Sequence, residues 1–282
     1  MPERLLPPKV MALRIGLVLI LGLVSGWCAA DDATPQPLIA IIIDDLGDSL
    51  TQGRRAIALP GPVAYAVLPR TPHARHLAQL AHSRNKEVML HLPMEATSER
   101  PLGAGGITLN MNQTELVKTL EQDLADVPHV VGINNHMGSL VTRHPGHMLW
   151  LMREINRLGN LFFIDSRTTR ATVAEQVADE VGVPNLRRDV FLDADPDPAA
   201  IASEFMRLVR LAHRRGMALG IGHPYPTTLA FLQRQLPYLD AYGVRMVPVS
   251  TLVKRSNPAP TRMVDQDNSE AVAQFEHTGI RP

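Results

Sequence analysis

Apolar runs and amphipathic stretches alternate along most of the chain. A strand buried on both faces is apolar throughout, whereas a half-buried strand alternates apolar and polar residues. Eight continuous apolar runs are of the first kind, and they cover residues 38–43, 63–68, 87–92, 129–134, 161–165, 189–193, 217–222 and 245–250. We therefore predict eight parallel strands with helices on both sides.

Helical periodicity fills the intervals between these runs. Leu116, Leu120 and Leu124 recur at a spacing of four, for example, and several periodic stretches end in glycine, a common helix stop. The predicted helices cover residues 74–84, 112–127, 145–159, 171–182 and 199–216. Strand–helix units over about 210 residues have the length of a β/α barrel. We predict an α/β fold, an irregular (β/α)7–8 barrel, with a doubly wound open sheet as the alternative.

The N-terminal segment has the organisation of an export signal. Basic residues precede an apolar run at residues 15–27, which is short for a membrane span, and small residues follow it. We predict a signal peptide over residues 1–30 with cleavage after Ala30, and an uncleaved anchor is the alternative. Cys28, the single cysteine, would leave with the signal, so the mature protein would have no disulfide. These features indicate export to a bacterial periplasm, with no membrane segment after cleavage.

The remaining boundaries follow from composition. Residues 31–37 form a short proline-containing linker, and residues 38–253 carry the alternating pattern. From residue 254 to 282 the sequence is polar and aperiodic, which predicts a disordered tail.

Charge and aromatic content argue against a nucleic-acid partner. The 28 basic residues equal the 28 acidic residues, so no global positive charge is available to attract phosphates. Aromatic residues make up 4% of the chain, which leaves few platforms for stacking bases.

Histidines and carboxylates recur where the predicted strands end. In a β/α barrel, chemistry takes place at the carboxyl ends of the strands. The residues at these positions are Asp44 and Asp45, Arg70, His91, Asn134 to His136, Asp165, Asp193, His223 and Ser250. Helix capping is the alternative for the aspartate pair. The recurrence favours a site, and histidine with aspartate suits Zn²⁺ and similar ions.

Adjacent aspartates suggest two different roles. Neighbouring side chains diverge along an extended chain, so Asp44 and Asp45 cannot easily bind one ion together. We expect one of them to be a metal ligand and the other a base.

Three motifs in this order resemble those of polysaccharide deacetylases. That family's first strand ends in Thr-Phe-Asp-Asp-Gly, and this chain has Asp44-Asp45-Leu46-Gly47. The second family motif is His-(Ser/Thr)-x-x-His-Pro, and this chain has His91-Leu92-Pro93-Met94-Glu95. The last is Leu-x-His, matched by Ile221-Gly222-His223. The combination resembles the divergent, exported branch of the family over residues 38 to 253.

The resemblance implies a metal site. Asp45 and His91 correspond to family ligands, while the second histidine of the family's metal pair is replaced by Glu95. We assign His136 as the third ligand, with Glu95 as the competing candidate. The implied cofactor is a divalent ion, for which zinc is the leading candidate.

The resemblance also implies the chemistry. Asp44 matches the catalytic base and His223 the catalytic acid of an enzyme that removes acetyl groups from an amino-sugar polymer of the cell envelope. The family's Arg-Pro-Pro motif is absent, and Arg70 or Arg167 could replace its arginine. These departures keep alternatives open: an inactive barrel that binds glycan or an envelope protein, or a hydrolase acting on esters or phosphoesters.

Other acidic residues have alternative explanations. Asp165 could orient a ligand histidine or cap the following helix. Asp193, Asp195 and Asp197 precede Pro198, so we predict that they cap a helix.

Overall fold

The computed structural model describes residues 35–257. The predicted signal peptide, the start of the linker and residues 258–282 lie outside this range. Within it, no helix is both long enough and apolar enough to cross a bilayer.

Nine strands in the described region pair in parallel in one sheet. They are β1 (Leu38–Leu46), β2 (Ala64–Val67), β3 (Val88–Met94), β4 (Val130–Met137), β5 (Phe162–Asp165), β6 (Asn185–Arg187), β7 (Val190–Phe191), β8 (Met217–Gly222) and β9 (Arg245–Met246). Their order is β6-β5-β4-β3-β2-β1-β8-β7, with β9 paired to β1. The sheet curls into a half-barrel. It is not closed, because no ladder between described strands joins its two edge strands, β6 and β7. The predicted α/β barrel is therefore confirmed in its irregular form.

Strand β1 is an interior strand, paired along both of its edges. It pairs with β8 from Leu38 to Ile43, while its other edge is shared by β9 at the start and β2 further along. The side chains of Ile39 to Ile43 are completely buried. This burial explains why the run is apolar at every position, as expected for a central parallel strand.

The described region has eight α-helices, of which the first seven connect strands and the eighth follows β9. They are α1 (Leu50–Ile57), α2 (Ala74–Ser83), α3 (Gln113–Asp126), α4 (Pro145–Leu158), α5 (Ala174–Val181), α6 (Pro198–Arg215), α7 (Pro226–Gln235) and α8 (Val249–Ser256). Their starts follow ordinary capping rules: Asn112 and Glu115 form a capping box at α3, and Asp197 caps α6 ahead of Pro198.

The sheet separates two apolar clusters. Alternate residues of β1, such as Ile39 and Ile41, belong to the larger cluster that also contains the connecting helices. The other residues, Ala40 and Ile42 among them, pack in a smaller cluster formed by the opposite faces of five strands and by α8. We call this smaller cluster the inner core. The candidate site residues continue the same strand faces.

Two predictions about the last strand are wrong. Only Arg245 and Met246 of the predicted strand 245–250 pair in the sheet, and Ser250 lies in α8. Pro248, which cannot donate a backbone hydrogen bond, stands immediately before this helix. Helix α8 continues to Ser256, slightly past the predicted domain end at residue 253.

Candidate metal centre

The candidate site continues the inner faces of the strands. Successive side chains of a strand alternate between faces, so Asp44 follows Ala40 and Ile42, and His91 follows Met89, into the barrel interior. His223 continues the face of Ile221 just beyond β8. The inner faces of the strands thus change from apolar to polar at the carboxyl ends of the strands.

Asp44 and Asp45 do not diverge as predicted. The pairing of β1 with β2 shifts register between Ile43 and Leu46, and Asp45 has a φ of 57° in the left-handed region. This local turn brings both carboxylates toward one ring: His91 Nε2 lies 3.7 Å from Asp44 Oδ2 and 3.0 Å from Asp45 Oδ1. The expected divergence holds for regular extended backbone, and the irregularity removes it.

Asp45, His91 and His136 bring three potential ligand atoms together. His136 Nδ1 lies 2.9 Å from Asp45 Oδ1 and 3.1 Å from His91 Nε2, which is itself 3.0 Å from the same oxygen. Asp45 Oδ1 is buried and receives no hydrogen bond from a described residue. Atoms with these spacings can each reach one ion at about 2.0–2.1 Å. Two imidazole nitrogens and a carboxylate fit a divalent transition ion, so these residues form a possible metal site.

Asn134 fixes the orientation of His91. Its Oδ1 lies 2.9 Å from His91 Nδ1, and its Nδ2 donates to Asp44 Oδ1 at 2.8 Å. Because a carbonyl oxygen can only accept, neutral His91 carries its proton on Nδ1, which leaves Nε2 available to a metal. The sequence places Asn134 at the end of a predicted strand but does not show this contact. Its position two residues before His136, on the same strand face, is the signal that could have revealed it.

The neighbouring Asn135 has a structural role. It accepts a hydrogen bond from the Ser166 backbone at 2.9 Å and donates to the Met137 carbonyl at 2.7 Å. The two asparagines therefore divide their roles according to the alternating faces of the strand.

The cluster strongly shifts the proton affinities of its members. Burial acts to lower the pKa of His91, but the charge of Asp44 and the contact with Asp45 raise it to about 9. Burial acts to raise the pKa of Asp45, but His136 and His91 hold it well below its usual range. A cation and a proton therefore compete for His91 Nε2, and acid should weaken metal binding.

Asp44 has the surroundings of a base. Its side chain is almost completely buried, and this burial raises its pKa above that of an ordinary carboxyl group, although His91 and His223 act in the opposite direction. A carboxylate with a raised pKa accepts a proton more readily near neutral pH.

His223 is oriented by Asp193. The imidazole Nδ1 lies 2.9 Å from Asp193 Oδ1, while Asp193 Oδ2 accepts from the His223 backbone and from Thr228. Burial acts to lower the pKa of His223, but the hydrogen bond to Asp193 and the nearby aspartates raise it. Its Nε2 lies 3.8 Å from Asp45 Oδ2 and so faces the candidate ligand cluster.

The capping prediction for the three aspartates is correct only in part. Asp197 accepts from the backbone of Ala199 and Ala200, as a cap does, and Asp195 accepts from the Asp197 backbone. Asp193 instead holds His223, a long-range contact that local sequence spacing does not show.

Two aromatic side chains flank His223. The ring of Phe191 meets it edge-on with centroids 5.1 Å apart, and the ring of Tyr225 stacks on it at 5.3 Å. Tyr225 is 43% exposed, so it forms part of the wall of the site that solvent reaches.

Glu95, the competing third ligand, is engaged elsewhere. Its Oε2 accepts from the Leu109 backbone at 2.8 Å, and its backbone carbonyl accepts from Leu140 and Val141. The structure therefore places His136, and not Glu95, beside Asp45 and His91.

Asp165 has neither of its two predicted roles. It accepts from the backbone of Arg167 at 2.7 Å and from Thr172 at 2.9 Å, and it thereby holds the loop between β5 and α5. It makes no hydrogen bond to a candidate ligand histidine within residues 35–257.

The two arginines considered as replacements for the missing motif have different surroundings. Arg70 is bound to α3 through Asp123 and Gln122, and Arg167 enters the loop contacts through its backbone. A third arginine, Arg188, donates to the carbonyls of Ser166 and Arg167 and lies 4.7 Å from the ring centre of Phe191.

A cleft of about 400 Å³ opens beside the ligand cluster. Asp45 and His136 line its inner end, and Arg70 and the loop at residues 101–104 line its sides. The cluster is therefore accessible to a ligand from this direction.

Two curated proteins are similar in sequence to this chain over most of its length. The uncharacterized protein YibQ of Escherichia coli K12 is 38% identical over 227 residues, which are 80% of this chain and 69% of YibQ. An uncharacterized protein of Haemophilus influenzae is 34% identical over 227 residues, 80% of each chain.

Solved structures show the same fold at lower identity. The uncharacterized protein ATU2773 of Agrobacterium tumefaciens superposes with a TM-score of 0.75 at 22% identity, covering 78% of this chain and 90% of that one. A mutant of BA3943 from Bacillus anthracis, described as a CE4 family pseudoenzyme with restored enzymatic activity, has a TM-score of 0.50 at 14% identity and covers 77% and 68%.

The family assignment rests on a match along nearly the whole described domain. The family model for divergent polysaccharide deacetylases matches residues 41–253. This range includes all five residues predicted to act as ligand, base or acid, and the family points to a glycan as the class of substrate. The chain belongs to the divergent polysaccharide deacetylase family.

Proposed function

We propose that this protein is a metal-dependent hydrolase that removes acetyl groups from an N-acetylated glycan of the cell envelope. The observation that supports it most is the convergence of Asp45, His91 and His136 beside Asp44 and His223. A ligand cluster between a buried carboxylate and an oriented histidine is suited to amide hydrolysis.

Asp45, His91 and His136 would hold the ion, and zinc fits this donor set. When bound, a divalent ion polarises a carbonyl group and makes water easier to deprotonate. Asn134 keeps the His91 ring in the orientation and tautomer that binding needs.

Asp44 is the general base in this proposal. It takes a proton from the water that attacks the acetamide carbonyl. Its burial supports this role because it raises the pKa toward neutrality, and Asn134 holds one of its oxygens in place. The other oxygen faces His91 and the ligand cluster.

His223 is the general acid. It gives a proton to the amine nitrogen as the carbon–nitrogen bond breaks. Asp193 favours the protonated imidazole and fixes its direction, so that Nε2 faces the ligand cluster.

We also propose that the protein acts outside the cytoplasm. The basic and apolar N-terminal residues and the envelope glycan substrate support export, because such a substrate lies beyond the inner membrane.

Metal content and acetate release test the proposal together. We expect the mature protein loaded with Zn²⁺ to release acetate from N-acetylglucosamine oligomers. Asp44→Asn should keep the metal and lose activity by about 10²–10⁴-fold, because it removes the base, whereas Asp45→Asn should lose both. Asp240→Asn makes the same change at an exposed position and should behave like wild type. Bound metal without acetate release from any amino-sugar polymer would contradict the deacetylase proposal.

A binding role without turnover is the second candidate. Glu95 stands where the family has a second histidine, and its carboxylate is committed to the Leu109 backbone. This departure from the family motif favours a barrel that binds glycan or an envelope protein. A protein purified without metal, in which Asp45→Asn retains cellular function, would support this candidate.

A further inference from the structure

We propose that Arg70 is a substrate-binding residue that recognises an anionic group, so that the glycan processed by this site carries a carboxylate or phosphate. This inference rests on the proposed function and adds a substrate class to it. Arg70 lines the cleft of about 400 Å³ that begins at Asp45 and His136. A chain entering the candidate active site from this side therefore comes against Arg70.

Helix α3 holds this guanidinium group in a defined position. Arg70 Nε donates to Asp123 Oδ1 at 2.8 Å, and one terminal nitrogen donates to Gln122 at 3.1 Å. The Arg70 backbone N–H donates to Asp126, and its φ of 56° lies in the left-handed region. Three contacts to one helix hold both the backbone and the side chain, which is more than a solvated surface arginine has.

The second terminal nitrogen is free to bind a ligand. No hydrogen bond or ion pair from residues 35–257 reaches Arg70 Nη1, and the side chain is 38% exposed. A guanidinium group offers five N–H donors in a planar fork, and carboxylates and phosphates match this geometry. Asp123 binds Nε of the guanidinium group, which leaves Nη1 available to such an anion.

One wall of the cleft packs against the ion pair between Arg70 and Asp123. The Asp123 side chain is completely buried, and its Oδ2 has no hydrogen-bond partner among the described residues. A Cβ added at Gly105, where φ is 77°, would lie 2.5 Å from Asp123 Oδ1 and 2.7 Å from Oδ2. The glycine-containing loop that borders the cleft therefore packs directly on the carboxylate that holds Arg70.

Matched ligands test the inference by calorimetry. The probes are an N-acetylated amino-sugar oligomer with a carboxylate on alternate sugars, the same oligomer with those carboxylates converted to amides, and a phosphorylated N-acetylglucosamine oligomer. We expect the wild-type protein to bind at least one anionic oligomer about tenfold more tightly than the amide, because a charge-assisted hydrogen bond is lost in the amide. The carboxylated and phosphorylated probes distinguish the two sources of charge.

Arg70→Gln should remove most of this preference. Because Gln leaves Asp123 buried without its cation, the double variant Arg70→Gln with Asp123→Asn serves if the single variant does not fold. Arg75→Gln is the matched control: Arg75 contacts the end of α3 through the Ala125 carbonyl, and its side chain does not line the cleft. This control should keep the preference.

Acetate release from the same oligomers separates this inference from the proposed function. Preferential binding of the anionic oligomer without acetate release would support the role of Arg70 and contradict the deacetylase proposal. Equal binding of charged and amidated oligomers, or an unchanged preference in both Arg70 variants, would overturn the role of Arg70 even if acetate is released. Binding of none of the oligomers would contradict both.

Discussion

At the scale of single residues, Asn134 connects the proposed base to a proposed ligand. One amide group accepts from His91 and donates to Asp44, and it has no exposed surface. An amide suits this position because it supplies an acceptor and a donor on one rigid group. A carboxylate or an aliphatic residue could satisfy only one neighbour or neither.

Asn134→Ala should weaken metal binding. We expect the affinity for Zn²⁺ to fall about 10–100-fold, because loss of a hydrogen-bond partner frees the ligand histidine to rotate. The free energy of unfolding should also fall by about 1–3 kcal/mol, since Asp44 and His91 lose buried hydrogen bonds. Isothermal titration calorimetry and urea denaturation measure the two effects.

Asn135→Ala is the control for this prediction. Asn135 binds only the Ser166 and Met137 backbones, so its replacement should lower stability and leave the Zn²⁺ affinity within about twofold of wild type. Equal losses of affinity in the two variants would show that Asn134 acts only through stability.

Asp193 should set the alkaline limit of activity. Proton donation requires a protonated His223, so the rate falls as pH rises through the pKa of this group. Asp193→Asn removes a charge that raises this pKa. The alkaline limb of the kcat/KM profile should therefore move to lower pH by about one unit.

Thr228→Val is the control for the pH profile. It removes one hydrogen bond to Asp193 and keeps the negative charge. Its alkaline limb should stay near that of wild type. If the alkaline limb of the kcat/KM profile of Asp193→Asn stays at the wild-type pH, His223 is not the group that limits activity at high pH.

The site residues differ in how far sequence could predict them. Asp44, Asp45, His91 and His223 match motifs of a known family in chain order, whereas His136 is assigned in place of the family's second histidine. The structure brings all five together. Their catalytic and ligand roles stay predictions. The sequence predicts a cap for Asp193 and no contact for Asn134, because the contacts of both residues depend on strand register and on chain segments far apart in sequence.

At the scale of elements, the loop after β1 positions the aspartates. Gly47 has a φ of 139°, and a Cβ added there would lie 2.1 Å from Thr71 Oγ1 and 3.2 Å from the Leu68 carbonyl. The loops after β1 and β2 therefore touch at a position that only glycine fits. This contact holds the turn that directs both carboxylates toward His91.

Gly47→Ala should disturb this turn. We expect the free energy of unfolding to fall by about 2–4 kcal/mol, because the new methyl group adds a clash to an unfavourable backbone conformation. Affinity for Zn²⁺ should fall as well. Chemical denaturation and calorimetry provide the measurements.

Gly159→Ala separates the clash from backbone strain. Gly159 follows α4 with a φ of 64°, and no atom lies within 4 Å of an added Cβ. Only backbone strain of about 1–3 kcal/mol should appear, because Gly159 has a ψ of 165°, and the metal affinity should not change. Equal effects of the two substitutions would contradict the importance of the loop contact.

Element boundaries were less predictable than element types. The continuous apolar runs identified the central strands because burial on both faces leaves a clear pattern. The run at 245–250 is apolar for another reason: Val247 and Val249, just before and at the start of α8, pack in the inner core. Apolar composition alone does not separate a short buried strand from the start of a buried helix.

At the scale of the whole molecule, the half-barrel has an apolar interior and a polar end. Alternate residues of five strands form the inner core, and the same strand faces continue into Asp44, His91 and His223. The alternation of side chains along a strand thus links the stability of the sheet to the position of the site. Sequence could predict this arrangement because parallel strands place their carboxyl ends at one edge.

The central claim is that Asp45, His91 and His136 share one divalent ion. Anomalous diffraction from crystals grown with Zn²⁺, collected on both sides of the zinc absorption edge, tests it most directly. We predict one peak within about 2.3 Å of Asp45 Oδ1, His91 Nε2 and His136 Nδ1. A peak bound instead by Glu95, or no peak among these three atoms at saturating Zn²⁺, would contradict the account.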